Sequence, residues 1–160
     1  MVSTFDPDDI APDYIPPKDE PRVKDPVRQK RGRNSRLRGH KVEREWFVYI
    51  ERQCNGLPVH QLPERRGTSG VEDGRWLDFS FELKSVQWKD EKERWPAKAA
   101  LAKAWEQARR RAQHRTPVVV VCARRQGKLS QWRIYLAEGA DHIEGRQWVS
   151  DTVLTLRTGQ

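Results

Sequence analysis

Four consecutive valines, Val118 to Val121, lie inside the apolar run Pro117-Val-Val-Val-Val121-Cys122-Ala123. A β-branched run with no polar face reads as a central strand covered on both sides. Such a strand needs further layers above and below, and the chain supplies them in order. Val42, Trp46, Phe47 and Ile50 fall at i, i+4, i+5 and i+8. That single apolar stripe predicts a helix from about Arg38 to Gln53, stopped by Asn55-Gly56. Leu101, Ala104, Trp105, Ala108 and Ala112 form the packing face of a second helix, opened by Pro96 and running to about His114. Gln126-Gly127-Lys128 then turns the chain into the alternating strand Gln131-Trp-Arg-Ile-Tyr-Leu136. Beyond Gly139 the pattern thins, and Val149 to Leu156 reads as a last strand or as part of a dimer contact. This order predicts an α/β domain with a mixed central β-sheet flanked by helices.

The chemistry-bearing stretch precedes the second helix: Asp73-Gly-Arg-Trp-Leu-Asp78-Phe-Ser-Phe-Glu82-Leu-Lys84-Ser-Val-Gln87. Phe79, Phe81 and Leu83 alternate with polar residues before the phase slips near Ser85 to Val86, the pattern of a strand with one buried face. Glu82 and Lys84 therefore share the other face, about 6.6 Å apart along the strand. Either Asp73 or Asp78 could add a second carboxylate. Carboxylate oxygens suit a hard divalent cation such as Mg²⁺, which keeps positions for water and phosphate. The plainer reading of Glu82 and Lys84 is an ion pair on a solvent-exposed strand, because the tripeptide Glu-x-Lys is common.

Charge narrows the partner class. The 160-residue chain carries a formal net charge of +8, with an isoelectric point near 9.8. For a chain with no apolar run of membrane-span length, that balance points to a polyanion, and nucleic acid is the usual one. The charge is unevenly placed. Residues 1–27 hold six of the ten prolines and seven acids against three bases, which predicts a disordered or extended tail. From Arg28 to Lys41 there are seven bases and no acid, so Arg31, Arg33, Arg36, Arg38 and Lys41 could track phosphates. The alternative is a solvated arm, or one masked by the acidic tail. These shifts divide the chain into a tail over 1–35 and one folded domain over 36–160. The loop Arg65-Arg66-Gly67-Thr68-Ser69-Gly70 combines guanidinium and hydroxyl donors with glycines that permit close approach, as a phosphate clamp would. Lys89 and Trp88 lie on a charged connection that could also reach nucleic acid, whereas Arg109 to Arg111 read as a solvated or ion-paired face. Cys54 and Cys122, far apart in sequence, read as buried reduced thiols of an intracellular protein. The acidic start has no signal-peptide shape.

An acid, a short gap and Glu82-x-Lys84 on a strand resemble the PD-(D/E)XK nuclease superfamily, and within it the archaeal and phage type of Holliday junction resolvase. Gly39-His-Lys-Val-Glu43-Arg44-Glu45 stands where such resolvases carry Gly-x-x-x-Glu-Arg-Glu on a helix before the core. The Arg/Gly/Ser loop, the second helix and the valine strand follow in the family's order, so the resemblance covers roughly residues 36–137. It implies a restriction-endonuclease-like core. The superfamily places its acid on the first strand of a hairpin, about ten residues before Glu-x-Lys. Asp73, nine positions before Glu82, fits that spacing. Asp78 would lie about 13 Å from Glu82 along one strand, too far to share a cation, and is better read as a turn residue. Two departures stand out: Glu72 replaces the usual proline before the acid, and Gly74 follows it where Ile or Val is usual. The resemblance further implies catalytic Glu43, Asp73, Glu82 and Lys84, with Asp73, Glu82, Glu43 and the Leu83 carbonyl holding Mg²⁺, for which Mn²⁺ substitutes. It places Arg65, Arg66 and Ser69 of the loop near DNA, beside Lys89 from the charged connection, and implies a homodimer making paired cuts in a four-way junction, with no organic cofactor and no membrane. The setting would be a bacterial or archaeal cytoplasm, with a viral or a cellular gene. Other nucleases of the superfamily, and a non-catalytic DNA-binding protein, are the alternatives.

Overall fold

The computed structural model describes residues 26–65 and 72–159. The tail over 1–25 and the loop residues Arg66 to Val71, including the candidates Arg66 and Ser69, lie outside the described residues. Helix α1 runs from Pro26 to Gln53, starting twelve residues before the expected Arg38. The boundary expected at residue 35 therefore falls inside a continuous helix. Arg, Lys, Gln and Leu are good helix formers, and Pro26 takes the first helical position, where a missing N–H costs nothing. The described side chains from Val27 to Arg38 are all exposed, and burial begins in earnest at Val42.

Among the described residues, six strands form one sheet in sequence order: β1 (Glu64–Arg65), β2 (Gly74–Trp76), β3 (Phe79–Gln87), β4 (Thr116–Arg124), β5 (Gln131–Tyr135) and β6 (Ile143–Glu144). Neighbours are antiparallel except β3 and β4, which run parallel from Phe79 opposite Thr116 to Gln87 opposite Arg124. Helix α2 (Lys98–Ala112) makes the crossover between them, and α3 (Gly145–Thr158) closes the chain. The fold is thus α/β, with a mixed sheet flanked by helices.

Helices α1 and α3 cover one face. Trp46, Phe47, Phe81, Trp132 and Trp148 pack there with Val118, Val120 and Ile134. On the opposite face α2 lays Ala104, Trp105 and Ala108 against Val119, Val121 and Tyr135. The valine strand is covered on both sides, as its composition requires.

Four expectations are corrected. Strand β3 has two covered faces, since Ser80, Phe81, Glu82 and Leu83 are all buried. The supposed phase slip at Val86 is the α2-facing side of β3 becoming apolar, because Val86 packs against the cluster of Ala104, Trp105 and Ala108 with Val119 and Val121. Residues Val149 to Leu156 are helical: Trp148, Val149 and Val153 are buried at a helical period, and packing against β5 and α1 overrides the strand preference of Val and Thr. Helix α2 starts at Lys98, so Pro96 precedes it by two residues. Among the described residues, no helix is long and apolar enough to cross a membrane. Cys54 and Cys122 are buried and unbonded, and burial pushes the Cys122 thiol up to about 11.

Candidate active site

The site is built on the β2–β3 hairpin. Its loop is Leu77-Asp78, with Leu77 at φ 57°, so that Trp76 faces Phe79 and Gly74 faces Phe81. Asp73 continues the ladder by donating its N–H to the Phe81 carbonyl at 3.0 Å. Its carboxylate then turns along β3, and Oδ2 accepts the Leu83 N–H at 2.7 Å. Nine positions of sequence thereby place Asp73 beside Glu82. Asp78 sits exposed in the turn, its carbonyl accepting the Thr116 N–H at 2.8 Å and its carboxylate the Thr116 hydroxyl at 3.3 Å. Asp78 pins the hairpin to β4, the role of a turn residue, and Asp73 is the acid at the site.

Packing explains why glycine follows Asp73. A Cβ at that position would drive into the Phe47 ring, so no branched residue can follow Asp73 while α1 packs this closely. Glu72, which replaces the proline, is buried and ion-paired with Arg75.

Glu82 is 2% exposed, a costly place for a carboxylate without partners. It has two: Lys84 Nζ lies 2.7 Å from Oε1, and an Arg111 guanidinium nitrogen lies 3.1 Å from Oε2. Arg111 also reaches to 3.8 Å from Asp73 Oδ1, forming a bridge between the two acids. Lys84 in turn donates to Gln107 Oε1 at 2.9 Å. Gln107 and Arg111 are one turn apart on α2, beside the line Ala104, Ala108 and Ala112. Those small side chains let the helix lie close to the sheet, within reach of β3. On the other flank α1 brings Glu43, which pairs with His40 at 3.4 Å.

Burial and the Glu82 charge, with a smaller push from Glu43, raise Asp73 from an ordinary 3.8 to about 6, against the lowering effects of the Leu83 N–H and Lys84. Glu82, Glu43 and Lys84 therefore all stand within electrostatic reach of Asp73. Leu83 points its backbone polar groups at the same strand edge as Asp73, since both N–H and C=O of a strand residue face one neighbour. The donor set is all oxygen, which fits a hard cation, and the crowding that raises Asp73 is what a cation would relieve. Among the described residues, no three acid, His or Cys side chains are gathered as a ready-made metal cluster. The acids are held by Arg111 and Lys84 instead.

The other candidates divide. Arg31, Arg33 and Arg36 are exposed along α1, and Lys89 is exposed beyond β3. Arg38 bonds Gln87 at 3.4 Å, and Arg65 pairs with Glu51 at 3.3 Å. Trp88 is buried and presents no open ring. Gln107 and Arg111 were not singled out by sequence, where Arg111 is one of three consecutive arginines. The signal that could have found it is the alanine line beside it. No family model, no curated protein and no solved structure matches the chain.

Proposed function

We propose that this chain is a metal-dependent endodeoxyribonuclease with a restriction-endonuclease-like core, of the PD-(D/E)XK kind, acting as a Holliday junction resolvase. The observation that carries the reading is the meeting of Asp73, Glu82 and Lys84 on adjacent strands, with Glu43 reaching the same site from α1. Asp73 and Glu82 would hold Mg²⁺, or Mn²⁺ in its place, with Glu43 and the Leu83 carbonyl as further oxygen donors. The bound ion supplies Lewis-acid charge and a water of lowered pKa. Lys84, steadied by Gln107, directs its ammonium at the same point, where it can orient that water and meet the charge that develops on phosphate. Arg111 neutralises the acid pair and would meet a phosphate approaching it. Selectivity for branched DNA would rest on shape and phosphate positions. Two like cuts in one junction require two copies of the site, and hence a symmetric homodimer.

One observation favours a second reading. Glu82 is fully countered by Lys84 and Arg111, as in a buried ion cluster whose role is structural, and the protein would then bind DNA without cutting it. A labelled immobile four-way junction and a matched linear duplex, each with Mg²⁺ and with EDTA, separate the readings. Paired nicks confined to the junction, stopped by EDTA and by Asp73→Ala, Glu82→Ala or Lys84→Ala, are expected. Equal cutting of both substrates would make it a general endonuclease of the same kind. Binding without cleavage under either metal would leave the non-catalytic reading.

A further inference from the structure

Two adjoining depressions, each about 480 Å³, open where β3 and β4 end. They share Gln87, Arg124, Arg125 and Gln126. Arg38 and Lys41 of α1 wall one side, Lys128 closes the β4–β5 turn, and Lys89 stands at the far end. No acid is among the described residues that line either depression. One wall is thus the basic half of α1, whose exposed arginines continue outward from it. Arg124 is braced by Glu45 at 3.1 Å. Trp88 continues the β3–β4 ladder by donating its N–H to the Arg124 carbonyl at 3.1 Å, and carries the guanidiniums of Arg94 and Arg125 each 4.8 Å from its ring centroid. Stacked on a buried ring, Arg125 is held in place before any ligand arrives.

We infer that this cleft is a seat for the phosphate backbone of a DNA duplex, holding the arm that leads away from the cut. The inference rests on the nucleic-acid reading above and specifies where the substrate lies. Ser85, in the cleft wall, directly follows Lys84 on β3, and Gln87 is three residues on, about 10 Å along the strand. The chemistry selects backbone over bases. Trp88 is 7% exposed and already carries two guanidiniums, so its ring is closed to base stacking, while the cations converge on a groove without acids.

The test is binding of a linear duplex and of the junction in EDTA over a range of salt, so that it does not depend on cleavage. Wild type is compared with Arg125→Ala/Lys128→Ala and with a charge-matched control, Lys98→Ala/Lys103→Ala on α2. Each phosphate contact adds about 0.9 to the slope of log K against log salt, so the cleft pair should lower that slope by roughly 2 and the control should leave it unchanged. Equal slopes in all three proteins, or equal losses in both variants, would overturn the inference. So would displacement of duplex by poly-glutamate as effectively as by competitor DNA, which would assign the cleft to an acidic polypeptide. Should wild type bind through the cleft and cut nothing with Mg²⁺, the catalytic reading falls and the cleft stands.

Discussion

Asp73 is pulled two ways: the Leu83 N–H favours its ionised form, while burial and Glu82 oppose it, and the opposition wins. A carboxyl raised in the fold contributes stability that is full below its unfolded value of 3.8 and lost as pH rises through about 6. At neutral pH in EDTA the charge on Asp73 therefore works against folding. Asp73→Asn keeps an acceptor for Leu83 and drops the charge. Its expected effect is a gain on the order of 2 kcal/mol at pH 7.5 that fades as pH falls toward 4, read by urea denaturation. A loss of stability at pH 7.5, or a gain independent of pH, would refute this account. The acids and Lys84 were legible because strand period and spacing are local. Arg111 and Gln107 were not, because a helix 29 and 23 positions away from their partners meets β3 only through packing.

At the scale of elements, α3 shows how composition can mislead. Its Val and Thr residues suit a strand, yet Trp148, Val149, Val153 and Leu156 recur at a helical period and pack on the main cluster. The same helix supports the strand that carries Glu82 and Lys84. Trp148 makes edge contacts with Trp76, Phe79 and Phe81 at centroid distances of 5.6, 5.3 and 6.1 Å. Trp148→Ala should cost about 3–5 kcal/mol in urea denaturation, and Trp148→Phe should recover a large part of it. Equal stability of the alanine variant and wild type would mean that α3 does not seal this face. Helix α1 misled in the other direction. Its apolar stripe marks only the half that packs, whereas its basic half is helical by propensity and continuity and lacks a stripe because it faces solvent.

The whole molecule is needed to make the site. Helix α1 contributes Glu43 from one side of the sheet, α2 contributes Gln107 and Arg111 from the other, and the β2–β3 hairpin carries the acids between them. An unfolded chain has no such arrangement, so any ion held there must stabilise the fold as a unit. At a Mg²⁺ concentration a hundred times its dissociation constant, the linkage is worth about 2.7 kcal/mol, roughly 5–10 °C in Tm for a domain of this size. Glu82→Gln, which would remove the charge of a proposed ligand, should abolish that rise. Arg111→Met tests the bridge between the acids from the opposite direction. In EDTA it leaves Glu82 buried with Lys84 alone and should lower Tm, since a buried carboxylate that loses one of its two cations is destabilised. With Mg²⁺ it removes the competing cation, so the metal-dependent rise should exceed that of wild type. Scanning calorimetry of the three proteins with and without Mg²⁺ decides the point. An identical rise in all three would show that Mg²⁺ binds elsewhere, and that Arg111 and Lys84 are the permanent partners of a structural acid pair.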